Sequence, residues 1–231
     1  MTPATKRETA AAASSHVPYV VPFGVFLGIL AVSSHLKFLG TWEYPLRVLF
    51  LAAIVYVYSR HVVDFRLRSP MLSVGIGIAV FAIWIAPEML FEDYRSHWLF
   101  SNAITGTVTT SLDHEHRYDW LVLVFRSIRA AVLVPIIEEL FWRAWLMRWL
   151  IRPNIETVPL GAWTWSSMAI SAALFASEHG PYWDVGLIAG LAYNFLMVRT
   201  KSLGDCILAH AVTNGILSAH VIASGQWHYW G

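Results

Sequence analysis

WLVLVFRSIRAAVLVPIIEELFWRAWLMRWLIR, residues 120–152, decides the fold. About 20 consecutive apolar residues are enough to cross the hydrocarbon of a bilayer as a helix. This run exceeds that length, so it is tilted, projects from the membrane, or breaks near Pro135, where an N–H is missing. Further apolar runs lie near 17–36, 44–59, 71–86, 161–179, 184–199 and 203–223. Read as transmembrane helices, they give an all-α, polytopic membrane bundle of seven spans. An eighth is added if 97–112 (HWLFSNAITGTVTTSL) dips into the membrane.

Composition agrees with this reading. The 231 residues are 57% hydrophobic and only 13% charged, against about 25% charged in ordinary soluble domains. Such long apolar runs need lipid as their solvent. The expected organisation is a disordered tail over 1–16 and a single membrane domain over 17–231. A basic start followed by an apolar run also describes a signal peptide, with Ala31-Val32-Ser33 as its cleavage site, but the run is long and more spans follow. The formal net charge of +1 points to no nucleic-acid partner. The single cysteine, Cys206, excludes an intrachain disulfide and a cysteine-based metal cluster. The partners expected are membrane lipid and whatever the intramembrane polar groups serve.

Basic residues orient the bundle. With seven spans, one side receives Lys6, Arg7, Arg60, Arg66, Arg68, Arg148, Arg152, Arg199 and Lys201, which is nine; the other receives Lys37, Arg47, Arg95 and Arg117, which is four. Lys and Arg accumulate on the cytoplasmic side. The N-terminus is therefore expected in the cytoplasm, with the C-terminus and loop 87–119 outside. Arg126, Arg129 and Arg143 lie within the fourth run itself.

Several polar residues stand where lipid would reject them. Glu138, Glu139 and Arg143 fall in VPIIEELFWRAWL, His179 closes LFASEHG, and His210 and Asn214 fall in ILAHAVTNGIL. A charge at the centre of a membrane helix costs about 2.5–3.5 kcal/mol on insertion scales, and such groups usually face a bundle interior or a wet cavity. Glu139 and Arg143 are four apart with the acid first, the better order for an ion pair. Glu138 points about 100° away and is free for another task. His210 and Asn214 share a face. Counting about 1.5 Å per residue from the cytoplasmic ends puts Glu138 roughly 21 Å deep, His179 roughly 27 Å, His210 roughly 10 Å and Asn214 roughly 16 Å, compatible with a meeting inside the bilayer. Plainer readings exist for each: a structural ion pair for Glu139–Arg143, an interfacial histidine for His179, interhelical hydrogen bonding for His210 and Asn214, and snorkelling for Arg126 and Arg129. Asp113, His114, Glu115 and His116 read as a solvated loop before they read as a metal site.

Taken in order, Glu138-Glu139-Leu140-Phe141-Trp142-Arg143, Phe175-Ala176-Ser177-Glu178-His179 and His210-Ala211-Val212-Thr213-Asn214 resemble the EExxxR, FxxxH and HxxxN motifs of the CPBP family (CAAX proteases and bacteriocin-processing enzymes, also called Abi). The resemblance covers roughly 125–220 and departs from the usual pattern at Ala144, where the family has Gly. It implies an intramembrane endopeptidase of the glutamate-dependent type, related to CAAX prenyl proteases, with its catalytic core over about 120–223. Carried over, Glu138 is the general base, helped by His179; His210 and Asn214 stabilise the oxyanion; Glu139 and Arg143 hold the base helix. No cofactor and no metal are called for. The substrate implied is a membrane-associated protein or peptide, such as a C-terminal tail, and the location is the plasma membrane of a prokaryote. Ser218 lies two before His220, the wrong offset for a nucleophile and its base on one helix face, and direct attack by water is what the resemblance implies.

Three alternatives stand beside it. A zinc intramembrane protease could use Glu138, His179 and His210 as ligands, although HExxH is missing. A non-catalytic membrane partner or immunity-type protein needs none of the chemistry. A transporter would call for paired broken helices or an internal repeat, and neither is found.

Overall fold

The computed structural model describes the backbone of residues 3–230 and the side chains of 16–230 other than Ser34 and Lys37. Seven long helices follow the seven apolar runs: α1 (Pro3–Ala31), α2 (Glu43–Ser59), α3 (Pro70–Leu90), α4 (Trp120–Trp149), α5 (Trp165–Ser177), α6 (Trp183–Thr200) and α7 (Leu203–Ser224). No strand forms among the described residues, only an isolated bridge between Asn102 and Gly106. The tail expected over 1–16 falls largely on residues whose side chains lie outside the described set, although the backbone of α1 runs from Pro3.

Among the described residues four helices are long and apolar enough to cross a membrane: Phe38–Ser59 (α2 with the turn before it), Pro70–Leu90, Trp120–Trp149 and Leu203–Ser224. His16–Ala31 and Trp165–Ser177 are shorter apolar helices. Residues 97–112 form turns and bends rather than an eighth helix. Large apolar side chains face outward: Leu49 on α2, Met71 on α3 and Phe195 on α6 are more than half exposed. Water would reject so broad an apolar exterior; lipid accepts it. This chain is a membrane helical bundle.

Helix ends are set by local chemistry. The Asp119 carboxylate accepts from the Leu121 and Val122 amides and starts α4. Thr164 and Ser167 form a capping box at α5, and Ser202 caps α7. Asp205, fully buried in the first turn of α7, accepts from the Arg68 and Ser69 amides and from Ser73 Oγ. It ties the start of α3 to the start of α7, so the two helices run parallel. Gly77 lets them close: a Cβ there would meet Ala209 O at 2.5 Å.

Prolines inside helices act as connectors. Pro22 has no N–H for the carbonyl of Pro18, one turn earlier, and Ser59 Oγ of α2 donates to that carbonyl at 2.6 Å. In α4 Pro135 does not break the helix. Two stretches of wider, π-type turns, Arg129–Leu133 and Leu140–Leu146, flank it and absorb the lost hydrogen bond.

Candidate active site

Glu139 Oε1 is the hub. Arg143 Nη1 donates to it at 3.1 Å along α4, and His210 Nδ1 of α7 lies 2.8 Å from the same oxygen. Glu139 is 0% exposed and Arg143 1%, so this charge pair is closed off from lipid and water alike. Arg143 also reaches Gly190 O at 3.4 Å and lies over the Phe175 ring at 4.4 Å and the Tyr193 ring at 5.2 Å. The sequence pairing of Glu139 with Arg143 is thus present, and the structure adds His210 to it. An ionised Glu139 can only accept, and His210 Nδ1 then carries the proton donated to it. Nε2 is the ring nitrogen of His210 left without a partner among the described residues.

His179 is fixed from its other nitrogen. Nδ1 donates to Phe175 O at 2.8 Å, because a carbonyl can only accept, so Nε2 holds the lone pair in the neutral ring. Trp84 of α3 meets the ring edge-on at 5.2 Å. Gly186 of α6 makes room for it, since a Cβ there would lie 3.3 Å from the imidazole.

Asn214 is positioned by Pro135. In the wider turn of α4 the Val134 N–H goes to Arg129 O, five residues back. The carbonyl of Ala130 would take its bond from residue 135, which is proline and has none to give. Asn214 Nδ2 supplies it instead at 2.9 Å. This contact also fixes the amide orientation, with one Nδ2 proton left over.

Glu138, His179, His210 and Asn214 all line one cavity of about 180 Å³. Glu138 Oε2 is buried with no hydrogen-bond partner. A second cavity, about 340 Å³, shares Trp84, His179 and Tyr229 with the first and runs past Thr107–Thr109. The site therefore opens under loop 87–119, toward the C-terminal end of α3. Arg95 pins that loop to the start of α6: it pairs with Asp184, donates to Pro181 O at 2.8 Å and packs among the rings of Tyr94, Phe100 and Tyr182. Burial and the Asp184 carboxylate beside it raise the Tyr94 phenol above its ordinary pKa.

Several contributors escaped the sequence reading. Tyr193 stacks on His210 at 5.1 Å and donates to Thr213 at 2.7 Å; a Tyr-Asn pair inside the sixth apolar run was the available signal. Trp84, Tyr229 and Trp230 line the cavity from outside the motif helices and carry no signal in sequence. Among the described residues no three His, Cys, Asp or Glu side chains come together as a metal-ligand set, either in the cavity or in loop 113–116.

Residues 119–216 fit the family model described as Type II CAAX prenyl endopeptidase Rce1-like. Neither the curated proteins nor the solved structures yield a match to the chain. The matched segment runs from the cap of α4 into α7 and holds all three motifs. Over this segment the chain is similar to the Rce1-like type II CAAX prenyl endopeptidases.

Proposed function

We propose that this chain is an intramembrane endopeptidase in which Glu138 and His179 activate a water molecule. The observation that carries it is the shared cavity: Glu138 and His179 both line it, with Glu138 Oε2 unpartnered and His179 Nε2 unengaged among the described residues, while Glu139 does not line it and has its Oε1 held by Arg143 and His210. A water held by Glu138 and His179 gives a proton to Glu138, and its oxygen attacks the scissile carbonyl carbon. The oxygen of that carbonyl becomes an oxyanion. Asn214 donates its spare Nδ2 proton to it, and His210 donates from Nε2 when the ring is doubly protonated. One such donor contributes about 2.7–4 kcal/mol to the transition state. The C–N bond then breaks and the proton returns to the departing amine. Glu139 and Arg143 hold the base helix and the His210 ring.

The substrate class follows from the opening. A polypeptide reaches the cavity under loop 87–119, and the family description supports a tail borne by a membrane-associated, prenylated protein. The nine-to-four division of basic residues supports a cytoplasmic N-terminus. A reporter fused after residue 224 tests the orientation, and cytoplasmic reporter activity there refutes it. For the activity itself, purified protein in vesicles is given C-terminal peptides with and without a prenyl group, and products are read by mass spectrometry. Cleavage by the native chain and none by Glu138→Gln is the expected result. Equal cleavage by both overturns the assignment.

A further inference from the structure

A second large cavity lies away from the proposed active site. It has a volume of about 870 Å³ and lies between the turn preceding α2, the first three turns of α4 and loop 110–116. Three arginines line it: Arg47, Arg126 and Arg129. Arg47 is 9% exposed, is paired with Glu43, and leaves its Nε buried with no acceptor. Arg126 spends Nη2 on Ser111 Oγ at 2.7 Å and Trp230 O at 2.8 Å, both neutral, and packs over the Trp230 ring. Arg129 makes no ion pair among the described residues. Asp113 and Glu115 belong to the exposed rim. The interior therefore holds more guanidinium charge than carboxylate, inside a membrane helix where an unmatched cation is costly.

We propose that this cavity binds the phosphate of a lipid headgroup. Planar guanidinium forks match phosphate oxygens in pairs, and Arg129 and the idle Nε of Arg47 supply donors with no acceptor among the described residues. The depth fits a lipid. Trp42, Tyr118 and Trp120 are largely exposed around the cavity, and Trp and Tyr concentrate at the membrane–water boundary. Leu30 lines the cavity, and exposed Phe38 and Leu46 on the neighbouring elements offer apolar surface for acyl chains. The volume is many times that of a phosphate ion, as a whole headgroup requires. Trp230 lies between this cavity and the proposed active site, since it bonds Arg126 on one side and lines the catalytic cavity on the other. An occupied headgroup site would thus brace the C-terminal turn that walls the proposed active site.

The test uses the full chain, stripped of lipid in neutral detergent. Thermal melting is followed with phosphatidylglycerol, with phosphatidylcholine and with inorganic phosphate. Phosphatidylglycerol should raise Tm by about 5 °C at about a hundredfold excess over Kd, phosphatidylcholine should not, and Arg129→Gln should abolish the rise. Should Arg129→Gln fail to fold, native mass spectrometry of the unmodified chain and of Arg129→Lys counts retained lipids; preferential retention of phosphatidylglycerol supports the site. No rise with phosphatidylglycerol, an equal rise with phosphatidylcholine, or an undiminished rise in Arg129→Gln overturns the proposal. A rise with inorganic phosphate equal to that with phosphatidylglycerol overturns the lipid and leaves a free-anion site. These readouts do not depend on proteolysis, so they fail or succeed independently of the proposed activity.

Discussion

Replacing Arg143 with alanine should harm stability far more than replacing Glu138, although the two residues are five apart on one helix. Arg143 donates to Glu139 at 3.1 Å and to Gly190 O at 3.4 Å, and it packs on two rings. Its removal leaves Glu139 fully buried with His210 as its remaining partner, and Glu139 Oε2 already has none. Breaking a buried pair from one side costs about 3–5 kcal/mol. At about 2–4 °C per kcal/mol for a chain of this size, Arg143→Ala should melt about 10 °C lower. Glu138→Ala removes a carboxylate that no ion pair holds, so its loss should be near the ordinary average for a point change, about 1 kcal/mol or about 3 °C. Melting of both variants in the same detergent decides it. Adding Glu139→Gln to Arg143→Ala should recover part of the loss, because the stranded charge is then gone. Equal losses for Arg143→Ala and Glu138→Ala, or no recovery in the double variant, would refute the assignment of Glu139–Arg143 as the structural pair.

Other expectations rest on different contacts. Glu138→Gln should abolish turnover on a validated substrate and move Tm by less than about 2 °C, since the shape is kept and the base is lost. Pro135→Ala should return an N–H to α4 that competes with Asn214 for the Ala130 carbonyl; turnover should fall about tenfold or more, as for a misplaced oxyanion donor, with Tm unchanged or raised, and unaltered turnover would count against Pro135 as a positioning residue. Asp205→Ala strips the acceptor shared by Arg68, Ser69 and Ser73; a loss of about 3 kcal/mol and faster proteolysis in loop 60–70 are expected, and a native-like digestion pattern would contradict the stapling role. Proteolysis by the native chain should persist in excess chelator; abolition by chelator with rescue by zinc would sink the water-activation scheme.

What the sequence determined by itself is what depends on local quantities. Helix positions follow from the length and apolarity of each run, and all seven runs correspond to helices whose ends lie near Pro70, Asp119, Thr164 and Ser202. The contact of Glu139 with Arg143 follows from helical spacing within one element. Tertiary structure decided which faces meet. In a membrane both lipid and protein interior are apolar, so a helix such as α3 or α7 carries no strong amphipathic stripe to say which side packs inward. That His210 reaches Glu139 from 71 positions away, that Asn214 fills the carbonyl freed by Pro135, and that Trp84, Tyr229 and Trp230 close the cavity all depend on inter-helix packing. Pro135 shows the division most plainly. A missing N–H is a property of the residue, but a kink and an absorbed wider turn relieve it equally well, and only the neighbouring helix, with Asn214 at the right height, selected the second.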